Sequence, residues 1–417
     1  MLERIEIENL GPIQKTGLSL SPLTVLLGAN ASGKTTVMRG IELFATLRNQ
    51  LWQGTQHATL WHKTQYPAYS LAGSQWPYLI HGGDTAKRLI FRGFVQPDST
   101  QPDYEMKLGI DWEQVSSSIV AQPGAEQKIE PEFLYERLSD PKGGWITAGT
   151  GPDVQSTRKL PPIKLARPRN SSITWLIAQL GTLPPFREEM ADLVPCLESF
   201  GIARYFRPNS AAMLASDPGH TVQPDGSGFV AALAALQNRE SERFNTIEQH
   251  LHHLFPHIRR IRFDIGVEGK IEHLVFETQR SARPIPANME ADGVLTTLFL
   301  LWAGATTPPH GTLLIDDPEA GLHPHLMGKR VEFLRSLANG EFTGHPLKVV
   351  VATQSVDFVR WVDTSEIRVV EYSDETGTLV HSIPENETLR TLIDKFQANA
   401  GDLWYSGAIG GVPGLGE

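Results

Sequence analysis

Leu26-Leu27-Gly28-Ala29-Asn30-Ala31-Ser32-Gly33-Lys34-Thr35-Thr36 is the stretch whose reading decides the fold. It carries the spacing Gly-x-x-x-x-Gly-Lys-Thr between two kinds of secondary structure, which is the context a phosphate-binding loop requires. Before it, 18–27 reads as two short strands, the second fully buried. After it, Val37, Ile41, Phe44 and Leu47 recur at helical spacing, so a helix is expected over 36–47. Glycines at 28 and 33 let successive backbone N–H groups turn toward one anion, and the helix start adds a positive dipole end. Gly28, Asn30, Ala31, Ser32, Gly33, Lys34, Thr35 and Thr36 are therefore the candidate cradle. Lys34 is expected to reach the terminal phosphates, and the Thr35 hydroxyl to bind Mg2+.

The second half of such a site is a short buried strand ending in a carboxylate. Thr312-Leu313-Leu314-Ile315-Asp316-Asp317 fits. Asp316 would stand at the carboxyl end of that strand, where open α/β sheets bind ligands, and would hold the Mg2+. Asp317 could polarise an attacking water. The bland alternative is that both aspartates merely end a strand before the turn at Pro318.

Working outward, 4–10 alternates polar and apolar residues, as a half-exposed strand does. Stretches 88–95 and 104–110 read as antiparallel partners. A polar, proline-rich run over 152–170 marks a boundary, and 175–180, 229–236 and 244–255 carry helical periodicity. The final third is expected to hold a helix over 294–304, a strand over 312–315, a helix over 326–337 and a strand over 347–352. Apolar strands alternating with helices indicate a parallel sheet covered on both faces. Three parts are expected: 1–155 with the phosphate loop and a β-subdomain, 156–285 as a helical insert lobe, and 286–417 as the second α/β half.

The 417 residues suffice for two or three lobes, and no 20–50-residue repeat suggests a solenoid. Apolar runs such as 294–303 and 347–352 are too short to span a bilayer. Met1-Leu2-Glu3-Arg4-Ile5-Glu6 has no apolar signal region, and the single cysteine, Cys196, fits a reducing compartment, so a cytoplasmic location is expected. A net charge of −10 argues against a surface that is basic throughout, although not against a local basic groove. Arg158, Lys159, Lys164, Arg167 and Arg169 offer one such groove, as phosphate contacts or as a solvated connector; aromatics for stacking on single strands are lacking. His250, His253 and His257 could share a helix face, but no carboxylate or cysteine completes a metal set, so a polar face is expected. The tail 401–413 could dock on a partner or pack on its own sheet.

The chain resembles the ABC-type ATPases of the RecF, SMC and OLD group, as a stand-alone AAA-family ATPase without a nuclease domain. The resemblance rests on Ile7-Glu8-Asn9-Leu10-Gly11-Pro12-Ile13-Gln14, on 26–36, and most of all on 313–324, which reads Leu-Leu-Ile-Asp-Asp-Pro-Glu-Ala-Gly-Leu-His-Pro. Asp225-Gly226-Ser227-Gly228-Phe229 and the helix ending at Phe255-Pro256 add support; 50–200 is matched poorly. It implies an ABC-type α/β fold with an antiparallel β-subdomain and an inserted helical lobe, ATP with Mg2+, and a head-to-tail homodimer. It also implies a signature segment, matched here by Ala291-Asp292-Gly293 after Glu290, which would cap the γ-phosphate held by the opposite subunit. Ala291 stands where the family has serine. Gln354 stands at the switch position, where the family has histidine, and Asp317 where it has glutamate.

Three departures at one composite site imply slow hydrolysis, or binding used as a switch; a carboxylate one methylene shorter places water less well, and about 1 Å can cost roughly a hundredfold. Glu319 is a possible substitute base. By resemblance the role lies in DNA maintenance or anti-phage defence, controlling a separate effector such as a nuclease, with nucleic-acid contact possible and no membrane coupling. About 60 residues follow Gln354 without a paired Asp-x-Asp, so no nuclease is expected in this chain. The alternative is a non-hydrolysing ATP-gated scaffold; a transporter ATPase is disfavoured by Gly321-Leu322-His323-Pro324.

Overall fold

A computed structural model of the chain describes residues 1–50, 81–83, 88–95, 104–110, 134–148, 155–158, 177, 180–215, 222–265, 271–279, 281–383 and 399–407. Strands are numbered along the chain: β1 Leu2–Leu10, β2 Ile13–Ser19, β3 Leu23–Leu27, β4 Leu89–Val95, β5 Tyr104–Ile110, β6 Leu134–Ser139, β7 Trp145–Ala148 and β8 Gln155–Ser156. They continue with β9 Ala203–Phe206, β10 Ile258–Ile265, β11 Ile271–Thr278, β12 Ile285–Pro286, β13 Thr312–Asp316, β14 Lys348–Thr353, β15 Ile367–Ser373 and β16 Gly377–Ser382. Five helices of eight residues or more are α1 Lys34–Gln50, α2 Phe229–Arg239, α3 Ser241–Leu254, α4 Asp292–Ala305 and α5 Met327–Asn339 among the described residues.

Hydrogen bonding joins the strands in the order β8-β7-β6-β5-β4-β1-β2-β16-β15-β3-β14-β13-β9. From β15 to β9 every neighbouring pair is parallel. The remainder is antiparallel, including the expected β4–β5 pair, which sets Phe91 opposite Leu108. β3, β13 and β14 are buried end to end, which is why they read as unbroken apolar runs.

Alternation along those strands splits their side chains between two cores. Val25, Leu27, Leu313, Ile315, Val349 and Val351 face α4 and α5, together with Leu233 of α2 and Ile247 of α3. Leu26, Leu314, Val350 and Ala352 face the other way, toward Val37, Ile41 and Phe44 of α1. The antiparallel strands close over α1 with Ile5, Ile7, Phe91 and Met106, so α1 lies between two β-layers. α4 is buried on every side from Gly293 onward, which explains its nearly continuous apolar sequence. The α/β class with a parallel core and an antiparallel wing is thus the fold observed.

Two features of the middle differ from the helical periodicity. Within 156–285, β9 joins the main sheet at the edge beside β13, and β10–β11–β12 form a separate antiparallel sheet. β9 is only four residues long and carries Arg204 and Tyr205, so it shows neither period. Arg204 is nonetheless half-buried there, donating to Thr306 Oγ1 at 2.8 Å beside the Phe206 and Trp302 rings, and desolvation pushes its pKa down to about 10. Among the described residues no helix is long and apolar enough to cross a membrane.

Candidate nucleotide site

The parallel arrangement brings the carboxyl ends of β15, β3, β14, β13 and β9 to one edge, and 28–35 leaves β3 there before starting α1. The loop is wound by left-handed backbone at Ala31 (φ 62°) and Gly33 (φ 102°). Gly33 cannot be replaced cheaply, because a Cβ there would lie 2.3 Å from Thr378 Oγ1. Thr378, buried on β16, donates to Ser32 O at 2.9 Å and so clamps the loop from outside. Lys34 Nζ folds back onto Gly28 O (2.8 Å) and Ala29 O (2.7 Å). Burial lowers its pKa, opposed by the charges of Asp316, Asp317 and Glu319.

Thr35 Oγ1 donates to Asp316 Oδ2 at 2.7 Å, joining two motifs that lie 281 residues apart in the chain. The same carboxylate oxygen accepts from Tyr205 OH at 2.9 Å. Burial and the Asp316 charge push the Tyr205 hydroxyl well above its ordinary pKa, so it stays a donor. The Arg39 guanidinium covers the Tyr205 ring at 3.6 Å and pairs with Glu42 at 2.8 Å.

Asp317 turns away from the strand with φ 53°, its N–H donating to Ala352 O at 3.0 Å. Its carboxylate accepts from Arg207 Nη2 at 2.9 Å. Glu319 lies on the same turn: Oε1 accepts from Thr353 Oγ1 at 2.6 Å, while Oε2 is buried with no hydrogen-bond partner among the described residues. Burial pushes the Glu319 pKa up to about 7. Gln354 follows Thr353 at the end of β14 and is exposed at this edge.

Ala291 and Asp292 are exposed at the start of α4, where Ala291 is the N-cap residue and no side chain caps the helix. Gly293 presses on the 318–322 turn, since a Cβ on it would come within 2.5 Å of Gly321 O. Thr296 Oγ1 donates to Ala320 O at 3.2 Å. Arg330, buried on α5, donates through Nη1 to Pro318 O at 3.0 Å and through Nη2 to Thr297 Oγ1 at 2.5 Å. Burial pushes Arg330 down to about 9, against the pull of Glu319. The structure therefore gathers Lys34, Thr35, Asp316, Asp317 and Gln354 on one sheet edge, and it seats 291–293 against the turn carrying Glu319.

The sequence pattern of the family described as "AAA domain, putative AbiEii toxin, Type IV TA system" matches residues 23–360, more than half of the chain. The chain belongs to that AAA family. It is accordingly a protein of the AAA ATPase class. No curated protein matches the chain. Similar solved structures include an Smc head bound to the C-winged helix domain of ScpA, at 12% identity and TM-score 0.46, covering 93% of this chain and 99% of that one. Another is the Smc head with an extended coiled coil bound to the C-terminal domain of ScpA derived from Pyrococcus furiosus, at 11% identity and TM-score 0.43, covering 95% and 99%. The SMC head domain from Thermotoga maritima matches at 9% identity and TM-score 0.40, covering 92% and 99%.

The residues of this AAA protein fit the nucleotide and Mg2+ that its family uses. Ser32 Oγ is buried inside the loop with no hydrogen-bond partner among the described residues, and Lys34 Nζ donates to two of its own loop carbonyls beside the Asp316 and Asp317 charges. Among the described residues no cluster of three His, Cys, Asp or Glu could hold a metal alone. Mg2+ suits that economy, because it is usually held by one or two protein groups together with substrate phosphates.

Arg158 is taken up inside the AAA protein, paired with Asp140 at 2.6 Å and Asp192 at 2.8 Å, so it is not free for a nucleic-acid backbone. Lys159, Lys164, Arg167 and Arg169 lie outside the described residues. His250 packs edge-on against Phe342, and His257 lies 3.5 Å from Glu290. In the tail, Trp404 packs into the core while Tyr405 is exposed. Sequence reasoning missed Tyr205, Arg207, Thr353, Thr378 and Arg330. None belongs to a recognisable spacing, and each matters through a partner distant in the chain.

Proposed function

We propose that the chain is a slow, Mg2+-dependent ATPase that works as a head-to-tail homodimer and uses ATP to control a separate effector, in DNA maintenance or anti-phage defence. The observation that carries this reading is the 2.7 Å bond between Thr35 and Asp316, which unites the phosphate loop with the acidic strand. Lys34 and the loop N–H groups of 28–36 hold the triphosphate, and Thr35 with Asp316 hold the metal. Bound there, Mg2+ would neutralise charge on the terminal phosphates.

Asp317 orients the attacking water and accepts its proton. Gln354 bonds a phosphate oxygen or that water without taking up a proton. Exposed Ala291, Asp292 and the N–H of Gly293 serve the partner subunit's nucleotide through the helix start alone, since Ala291 has no hydroxyl. The family description speaks of a toxin of a type IV TA system, and a regulatory role in defence accords with those words.

Slowness follows from three departures together with the ion pair that holds Asp317 on Arg207. That same pair favours a second reading, in which ATP acts only as dimer glue and is not cleaved. Turnover of the purified protein, alone and with DNA, RNA or a co-purifying partner, separates them. The ATPase reading expects basal cleavage that Asp317→Asn lowers and one of the additions raises. Turnover unchanged by Asp317→Asn, with nucleotide binding still abolished by Lys34→Ala, favours the scaffold.

A further inference from the structure

We propose that Arg207 is the γ-phosphate sensor of the site: ATP draws its guanidinium off Asp317, and that exchange frees the Asp317 carboxylate for water. The inference rests on the ATPase reading above and deepens it.

The placement comes from the sheet. β9 runs parallel to β13, with Phe206 in register with Ile315, so the next residue, Arg207, emerges at the carboxyl edge beside Asp316 and Asp317. Lys34 approaches the same two carboxylates from the phosphate loop. Arg207 feels both of them as well, and their pull outweighs the lowering effect of its partial burial. Two cations thus flank one acidic pair, and a triphosphate end entering between them would meet both.

The Arg207–Asp317 bond has little to do with folding. The Arg207 side chain is 64% exposed, and ion pairs so exposed add little to stability. Its backbone, in contrast, is firmly held. Arg207 N donates to Pro224 O at 2.7 Å, Asn209 N donates to Asp225 O at 2.9 Å, and the Asn209 side chain caps the short helix Ser210–Leu214. A fixed stalk carrying a solvent-facing guanidinium beside the reacting edge is what phosphate recognition asks for. Guanidinium matches phosphate oxygens in a fork that a lysine cannot reproduce. The left-handed backbone at Asp317, pinned by the bond from its N–H to Ala352 O, keeps the released carboxylate at this edge.

The exchange makes ATP and ADP differ. Only ATP carries the phosphate that competes with Asp317, so only ATP-state affinity should depend on Arg207. Calorimetric titration of the full chain with Mg2+ and either ADP or a non-hydrolysable ATP analogue reads this directly. Arg207→Ala is expected to weaken the analogue roughly ten- to a hundredfold, the loss typical of a charge-assisted bond, while ADP affinity stays within about twofold. Arg207→Lys should recover part of the loss.

A double-mutant cycle tests the exchange itself. Asp317→Asn should tighten the analogue in the wild-type background and lose that effect when Arg207 is alanine. Equal weakening of ADP and analogue by Arg207→Ala, or no weakening of either, would overturn the proposal while leaving the ATPase reading intact. A gain from Asp317→Asn that persists without Arg207 would mean simple charge relief and would overturn the exchange. Failure of the wild-type chain to bind either nucleotide would instead remove the ATPase reading, and the sensor with it.

Discussion

Replacing Glu319 by glutamine should make the protein more stable above neutral pH and leave it unchanged in acid. Glu319 Oε1 accepts from Thr353 Oγ1, a bond that glutamine can keep, but Oε2 is buried with no hydrogen-bond partner among the described residues. Burial is the main reason its pKa rises from 4.5 to about 7; the Thr353 bond and a backbone bond oppose the rise, and Asp317 and Asp316 add to it. Between those two values the folded protein binds a proton that the unfolded chain has released. Stability therefore falls as pH rises through that window, and the full penalty is in force above about pH 7. A difference of some 2.5 units, at about 1.36 kcal/mol each, gives a penalty of ~3 kcal/mol. Glutamine does not ionise, so Glu319→Gln should gain up to about 3 kcal/mol at pH 8 and almost nothing near pH 4.5. With an unfolding entropy of about 2.1 cal/mol/K per residue, the gain at pH 8 corresponds to roughly 3 °C in Tm. Thermal melts of both proteins at pH 5 and pH 8 check it. A Tm difference of the same size at both pH values would refute the reasoning, because a pH-independent effect cannot come from ionisation of this carboxyl.

Other substitutions probe neighbouring parts of the same edge. Gly33→Ala must place a methyl 2.3 Å from Thr378 Oγ1 at φ 102°, so ATP affinity in a fluorescence titration should fall by at least tenfold while far-UV circular dichroism is retained. Arg330→Met should leave Pro318 O without its buried donor, which costs about 1–3 kcal/mol in urea unfolding; no loss of stability would mean that the carbonyl finds another partner. Because Arg330 also ties Thr297 of α4 to the acidic turn, the same variant should reduce ATP turnover more than ATP binding, a split that steady-state kinetics would show.

The nucleotide edge was readable from sequence where short-range rules govern it. The glycine spacing over 28–35 forces a loop between strand and helix, and the buried runs at 312–316 and 348–353 have no place except the centre of a covered sheet. What stayed hidden depends on partners far apart in the chain. Arg207 and Asp317 are 110 positions apart, and nothing local to either announces the other. β9 escaped notice because Arg204 breaks its apolar pattern, although that guanidinium packs among Thr306, Phe206 and Trp302. Of the basic cluster, only Arg158 lies within the described residues. Its ion pairs with Asp140 and Asp192 could not be read from the run of positive charge, because both partners lie outside that run. β15 and β16 also went unread, and with them Thr378, whose hydroxyl holds Ser32 from 346 positions away.

That the phosphate loop and the acidic strand form one metal–nucleotide site is tested most directly by Thr35→Val. The substitution keeps the shape of the side chain and removes only the hydroxyl that donates to Asp316 at 2.7 Å. ATP binding to this variant and to the wild type should be measured by calorimetry, with Mg2+ and again with a chelator. Mg2+ should strengthen ATP binding to the wild type and have little effect on the variant, while the two proteins should bind alike without the metal. An undiminished Mg2+ effect in Thr35→Val would contradict it.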